Sequence, residues 1–157
     1  EDSEWELDII GDGDLFDQIR ADAKKRHLEK RVHFVGYTNE PEKYYLNSSV
    51  FLLPSRWEDG RWLFMEAFEF GLPVIAFHTG AMDLIIDDGK TGYLPEAFDT
   101  KKFTDAMLKL AHDEELRREM SRNAIWKSED FAIEKAVKEW NRLFNRVMGI
   151  KTFLYEK

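Results

Sequence analysis

Residues 49–77 constrain the fold of this chain more than any other part of its sequence. They read SVFLLPSRWEDGRWLFMEAFEFGLPVIAF, which predicts a strand, a loop, a helix and a second strand in that order. The first strand is the continuous apolar run from Val50 to Leu53, which Pro54 stops, as expected of a strand buried on both faces. Val74 to Phe77 repeats the pattern and predicts a second buried strand.

The helix between these strands is predicted over Leu63 to Phe70, where all residues but two glutamates are apolar. Gly71 is placed to end this helix in a left-handed conformation, and Pro73 prevents it from restarting. A hydrophobic core does not require Glu66, in the predicted first turn of the helix, or Glu58, in the preceding loop. The pair is therefore the first candidate for a site.

Elsewhere the chain alternates between further strands and helices. The other predicted strands are WELDII (5–10), RVHFVG (31–36) and Tyr93-Leu94. The other predicted helices run over about residues 15–28, 42–47, 100–112, 114–127 and 133–148. Asp14 and Asp99 stand where N-caps are expected.

Such alternation, with connections too long for hairpins, is the pattern of parallel strands joined by right-handed crossovers. The sequence therefore predicts an α/β fold: a single Rossmann-like domain over residues 1–157, with a doubly wound parallel sheet in a three-layer α/β/α arrangement and extra C-terminal helices. Residues 150–157 are predicted as either a further strand or an extended tail. Ligands of such folds bind beyond the carboxyl ends of the strands, which makes the loops there the predicted site.

Composition excludes several classes of function. The chain has 31 acidic and 23 basic residues, a formal charge of −8, which argues against nucleic acid as a partner. It has no cysteine, which excludes disulfides and thiolate catalysis and fits a reducing, cytoplasmic location. No apolar run approaches the ~20 residues of a membrane span, and the acidic start is not expected to be a signal peptide.

Gly11-Asp12-Gly13 follows a predicted strand and precedes a helix, so its backbone amides are candidates for facing an anion or a sugar. A tight strand-to-helix turn explains the same glycines equally well. Asp12 and Asp14 also read as an Asp-x-Asp metal pair, although Asp14 is better used as a helix cap. Among the histidines, only His78 stands at the carboxyl end of a predicted strand.

Glu58 and Glu66 have a functional and a structural interpretation. A carboxylate is a natural acceptor for the vicinal hydroxyls of a ribose or hexose, and both residues are expected to reach one cleft. Spacing alone slightly favours the structural interpretation, in which one glutamate decorates the helix and the other is a loop charge.

Taken together, the motifs resemble the C-terminal, nucleotide-sugar-binding domain of the GT-B glycosyltransferases of family 4, which are retaining enzymes. The most specific element is a glutamate, seven residues and a second glutamate, here Glu58 and Glu66. The other matching motifs are WELDIIGDG (5–13), VHFVGY (32–37), SVFLLPSRWE (49–58), MEAFEFGLPVIAF (65–77), DLIIDDGKTGYL (83–94) and EELRREM (114–120).

The resemblance implies roles for individual residues. Glu66 is expected to bind the donor ribose, and Glu58 to approach the donor sugar as the catalytic residue. The loop after VHFVG is expected to border the base, and the segment before the helix the diphosphate. The implied donor-binding residues are Glu66, Gly11, Gly13, Gly36, Tyr37, Ser55, Gly60, Arg61, Trp62 and Leu63. The partner implied is a nucleotide-diphosphate sugar, without a metal or other cofactor.

Two departures from the family pattern are visible. Asp59-Gly60-Arg61-Trp62 stands where the family has a glycine, an aromatic residue and a glycine or proline. The resemblance also implies that the chain starts after the family's first strand and helix of this domain and that the N-terminal acceptor domain is missing from it. We therefore expect an inactive isolated chain whose partner is the missing N-terminal domain or a second copy, with peripheral membrane association left open for the full enzyme. The alternative is a non-catalytic or engineered α/β module that self-associates and binds no donor.

Overall fold

A computed structural model of the chain describes residues 4–56, 62–80 and 82–149. The chain divides into two compact units, residues 1–49 and residues 50–157. Strands and helices alternate through most of its length before a run of C-terminal helices, and each described pair of neighbouring strands is parallel. The predicted α/β class with parallel strands is therefore confirmed.

The first unit contains a two-stranded parallel sheet and two helices. Strand β1 (Leu7–Ile10) pairs with β2 (Val32–Gly36), and helix α1 (Phe16–Lys25) connects them. Helix α2 (Glu42–Asn47) follows Pro41, with the bounds that the sequence predicts. The ring of Phe16 on α1 meets that of Phe34 on β2 edge to face, with centroids 5.6 Å apart, so an aromatic contact fixes the helix on the sheet.

The N-cap predicted for α1 is wrong. Leu15 occupies the N-cap position without a side-chain hydrogen bond, and Asp14 lies one residue earlier in a turn. The first helical amide, that of Phe16, donates instead to the Gly13 carbonyl at 3.0 Å. The glycine turn thus starts the helix with a backbone hydrogen bond.

The second unit begins with a three-stranded parallel sheet in the order β3-β4-β5. Its strands are β3 (Phe51–Leu53), β4 (Val74–Ala76) and β5 (Gly92–Tyr93), and helix α3 (Trp62–Glu69) connects the first two. A 3-10 turn, Met82–Leu84, precedes β5.

Burial differs between β3 and β4, although both are continuous apolar runs. Every residue of β4 is buried, as predicted, whereas every residue of β3 is only half-buried. The prediction that β3 is buried on both faces was therefore wrong. The order of the sheet supplies the reason, because β4 is its central strand and β3 is an edge strand of the described sheet.

Gly71 ends α3 as predicted. Its φ is +69°, and its amide donates to the Phe68 carbonyl at 2.9 Å. A Cβ added at this position would lie 2.9 Å from Ser121 Oγ and 3.0 Å from Ile125 Cδ1. The glycine therefore serves both the helix end and the close packing of a C-terminal helix.

Three helices follow the sheet: α4 (Thr100–His112), α5 (Glu114–Ser128) and, after a 3-10 turn over Glu129–Phe131, α6 (Ile133–Val147). A core cluster lies between β4 and α4–α5, and its buried members are Ile75, Phe77, Phe103, Ala106, Leu110 and Met120. The apolar face predicted for α6 exists, but no residue of this helix is buried. The tail over residues 150–157 lies outside the described residues. No helix in the described part of the chain is long and apolar enough to cross a membrane.

Aspartates cap α4 and α5, and we expect each cap to contribute measurably to stability. The Asp99 carboxylate accepts from the Lys102 amide, and the Asp113 carboxylate from the Leu116 amide, both at 2.9 Å. Replacing either aspartate by alanine should lower the free energy of unfolding by about 1 kcal/mol in urea denaturation. Asp105→Ala, at an exposed position inside α4, is the matched control and should change it by less than about 0.5 kcal/mol. Equal effects at all three positions would contradict the capping assignment.

Candidate functional site

The connection from β3 through α3 to β4 places several residues at one edge of the sheet in the second unit. Since β3 and β4 are parallel and α3 returns between them, the carboxyl ends of both strands and the first residues of α3 lie at the same edge of the sheet. Ser55 and Arg56 follow β3 at this edge, and His78 follows β4. The carboxyl edge, as this region is called below, therefore carries residues far apart in the sequence.

One face of α3 is buried and the other is exposed. Phe64, Ala67 and Phe68 are buried and hold the helix on the unit. Trp62 is 70% exposed and Glu66, four residues later, is also exposed, so the two lie on one face of the helix. Leu63, between the two faces, is half-buried, as is Ser55 at the end of β3.

Glu66 lies deeper in the helix than the sequence predicts. It is the fifth residue of α3, at the start of the second turn, and the prediction of a first-turn position was wrong. The favourable effect of the helix dipole on a carboxylate fades beyond the first turn, so the dipole contributes little here. The Glu66 side chain is exposed, so it is accessible from solvent, and a carboxylate can accept several hydrogen bonds.

Three other predicted residues of this segment, Glu58, Gly60 and Arg61, lie outside the described residues, as does Asp59. The role of Glu58 near the donor sugar therefore remains a prediction from the sequence. The same holds for the effect of Asp59, which departs from the family pattern. The structure brings together the predicted residues Ser55, Trp62, Leu63 and Glu66 through the crossover alone.

The glycines of the first unit meet at the carboxyl ends of its own two strands. The Gly11 amide donates to the Gly36 carbonyl at 2.9 Å, which joins the loop after β1 to the loop after β2. Gly11 and Gly36 have φ values of +126° and +76°, a region that residues with a side chain rarely adopt. A Cβ at Gly11, Gly13 or Gly36 would meet no atom within 4 Å, so open space lies in front of these glycines.

Tyr37 and Asp12 lie next to these glycines in the sequence. Tyr37, directly after β2, is 77% exposed. Asp12 accepts a hydrogen bond from the Gly13 amide at 2.8 Å, which stabilises the glycine turn. In the part of the chain that the structure describes, no group of three or more histidine, cysteine, aspartate or glutamate side chains has an arrangement that could hold a metal ion.

His78 lies at the carboxyl edge next to a cavity of about 550 Å³. Its amide donates to the Pro95 carbonyl at 2.8 Å, and its backbone forms a parallel bridge with Glu96. The described donor-binding residues predicted after β3 and on α3 are not among the residues that line this cavity. Its lining residues are His78, Asp83, Ile86, Asp87, Asp88, Lys90, Leu94 and Glu96.

Sequence analysis missed one cationic side chain at the carboxyl edge, that of Arg56. Its guanidinium carbon lies 5.7 Å from the centroid of the Phe98 ring. The Phe98 ring is in turn 6.1 Å from that of Phe77, the first residue after β4. The sequence signal was a basic residue directly after Pro54-Ser55, but its aromatic contact is 42 positions away and left no local pattern.

Comparisons with known proteins assign the family. The family model described as "Glycosyl transferases group 1" matches residues 1–126, and the chain therefore belongs to this glycosyltransferase family. Among curated relatives, the amylovoran biosynthesis glycosyltransferase AmsD of Erwinia amylovora is 33% identical over 143 residues, covering 90% of this chain and 40% of the relative. The N-acetyl-alpha-D-glucosaminyl L-malate synthase of Bacillus anthracis is also 33% identical over 143 residues, covering 89% and 37%.

Solved structures show the same fold. A crystal structure of a mutant of S. aureus TarM, in complex with Fondaparinux, alpha-GlcNAc-glycerol and UDP, matches with a TM-score of 0.79 and 29% identity, covering 89% of this chain and 29% of that protein. This match confirms the predicted GT-B type, Rossmann-like fold. The chain spans about two fifths of the length of these two curated relatives and less of several others, down to 16%.

Proposed function

We propose that the chain, as one domain, is the donor-binding half of a retaining glycosyltransferase. Its substrate is a nucleotide-diphosphate sugar, from which a hexose is transferred to a glycan or lipid acceptor. The observation that carries the proposal is the exposed side chain of Glu66 at the start of the second turn of α3, on the same helix face as Trp62, in a chain of this family. An exposed carboxylate there is suited to accept hydrogen bonds from both hydroxyls of a ribose.

The remaining residues take the roles that the family resemblance implies. Glu58 approaches the donor sugar as the catalytic residue. Ser55 and the segment from Gly60 to Leu63 border the diphosphate and sugar. In the first unit, the amides of Gly11 and Gly13 face the donor, and Gly36 with Tyr37 borders its base. The open space in front of the glycines supports this assignment, because it leaves their backbone accessible to a ligand.

The proposed chemistry requires positioning and charge stabilisation and no metal or other cofactor. The acceptor attacks on the face of the sugar that the nucleotide leaves, and the departing diphosphate helps to take the acceptor's proton. The acceptor is bound by a part of the enzyme outside this chain, either an N-terminal domain or a second copy. We propose that the enzyme is cytoplasmic and that the full protein can associate peripherally with a membrane. We expect no turnover by this chain alone.

A titration with UDP tests the donor site. We expect UDP to bind at millimolar concentration or below and to bind equally in the presence of EDTA. Glu66→Ala should weaken binding by about tenfold, because a carboxylate that accepts two ribose hydroxyls is lost. Glu69→Ala is the matched control, since Glu69 is also exposed but lies at the other end of α3, and it should leave affinity within about twofold.

The alternative function is a self-associating module without donor binding. The observation in its favour is the sequence Asp59-Gly60-Arg61-Trp62, which introduces a carboxylate where the family's diphosphate lies. Absence of UDP binding at millimolar concentration, with Glu66→Ala as stable as the parent chain or more so, would refute the donor-site proposal and support this alternative.

A further inference from the structure

The side chain of Arg56 occupies a defined position at the carboxyl edge. Arg56 follows the last residue of β3 by three positions, and its guanidinium carbon is 5.7 Å from the Phe98 ring centroid. The Phe98 ring contacts Phe77, directly after β4, and Phe77 contacts Phe103 of α4 with ring centroids 4.9 Å apart. A series of rings anchored in the core therefore supports the guanidinium beside the ends of β3 and β4.

Phe98 adopts an unusual backbone conformation in the turn that precedes α4. Its φ is +67°, in the left-handed region that bulky residues rarely enter, and its side chain remains 56% exposed. Burial alone therefore does not explain why a strained position carries a large aromatic residue. Strained residues of this kind persist where the surroundings hold them and are concentrated at functional sites. The ring packs against that of Phe77 and lies beside the Arg56 guanidinium.

The guanidinium supported in this way keeps its hydrogen-bonding capacity. Within the residues that the structure describes, Arg56 makes no hydrogen bond or ion pair. A guanidinium beside a ring face keeps N–H donors in its own plane, and their planar arrangement matches two oxygens of a phosphate. The chain as a whole carries a charge of −8, and Glu66 lies at the same edge, so an anionic ligand needs a local cation there.

We propose that Arg56, held on Phe98, binds the diphosphate of the nucleotide-sugar donor. The inference rests on the proposed function and adds a cationic residue to its site. Phe98 is then a positioning residue that acts through Arg56, and the ring contact sets the direction from which the guanidinium meets the phosphate oxygens.

NMR titrations with UDP and with uridine, which lacks the phosphates, separate this role from a structural one. Arg56→Ala should weaken UDP binding by about 10- to 100-fold and leave uridine binding within about twofold, since only the phosphate contact is lost. Arg56→Lys keeps the charge without the planar fork and should give an intermediate loss. Phe98→Leu should weaken UDP binding by about threefold, again without an effect on uridine. Arg122→Ala, at an exposed position on α5, is the control for lost charge.

The outcomes distinguish the two proposals. If the parent chain binds UDP but Arg56→Ala binds it within twofold of the parent, the role of Arg56 is refuted and the donor site stands. A parallel loss of UDP and uridine binding would also refute it, because it would indicate a structural effect. If Arg56→Ala does not fold, Arg56→Lys decides by the same criteria. If the parent chain binds neither ligand, both the proposed function and this inference fail.

Discussion

Replacing Gly92 by alanine is expected to unfold the second unit or to lower its free energy of unfolding by about 3 kcal/mol or more. Gly92 lies in β5 opposite Val74 of the central strand β4. A Cβ at this position would lie 1.9 Å from the Val74 carbonyl oxygen and 2.8 Å from the Val74 nitrogen. Because these are backbone atoms of a fully buried strand residue, no side-chain rotation can relieve the overlap. Urea denaturation followed by circular dichroism measures the effect.

Gly89→Ala is the matched control for this experiment. Gly89 has a φ of +76°, but a Cβ there would meet no atom within 4 Å. The control therefore contains the conformational strain of a left-handed alanine without the steric overlap, and about 1–2 kcal/mol is expected. If the two substitutions destabilised the protein equally, close approach of β5 to β4 would not be the reason for glycine at position 92.

The second large effect is expected for Leu110→Ala. Leu110 is fully buried on α4, in the cluster that includes Ile75 of β4 and Met120 of α5. Truncation removes apolar contacts and leaves a cavity between the sheet and two helices, so we expect a loss of about 2–5 kcal/mol in the free energy of unfolding.

Leu108→Ala provides the comparison within the same helix. Leu108 lies two residues from Leu110 and is 50% exposed. Its replacement by alanine changes the helix propensity in the same way but removes much less buried apolar surface. A loss below about 1 kcal/mol is expected for it. Similar thermal and urea midpoints for the two variants would contradict the assignment of the core to the face of α4 that carries Leu110.

Local signals predicted much of the fold. Pro41 before α2 and Asp99 before α4 marked those helices at their observed first residues. Gly71 ended α3 in the predicted left-handed conformation. These signals act on residues within about one helical turn, so the local sequence is sufficient to predict where a helix begins or ends. Asp14 carried the same signal but failed, because the backbone of the glycine turn supplied the first hydrogen bond of α1.

Properties that depend on distant neighbours were harder to predict. Burial of β3 depends on its place in the sheet, and its apolar run is the same whether the strand is central or at an edge. The assignments of Glu66 and of the glycine turn as donor-binding residues remain predictions from the sequence. Sequence analysis missed the contact of Arg56 with Phe98, because the two residues are 42 positions apart and no local pattern links them.

The central claim, that Glu66 receives the ribose of a nucleotide donor, is tested most directly by a two-by-two titration. UDP and 2′,3′-dideoxy-UDP are each titrated into the parent chain and into Glu66→Ala. We predict that removing the ribose hydroxyls weakens binding to the parent chain by about tenfold but has almost no effect in Glu66→Ala, because the carboxylate that recognises them is already absent. Equal losses in the two proteins would show that the hydroxyls bind elsewhere and would contradict the account.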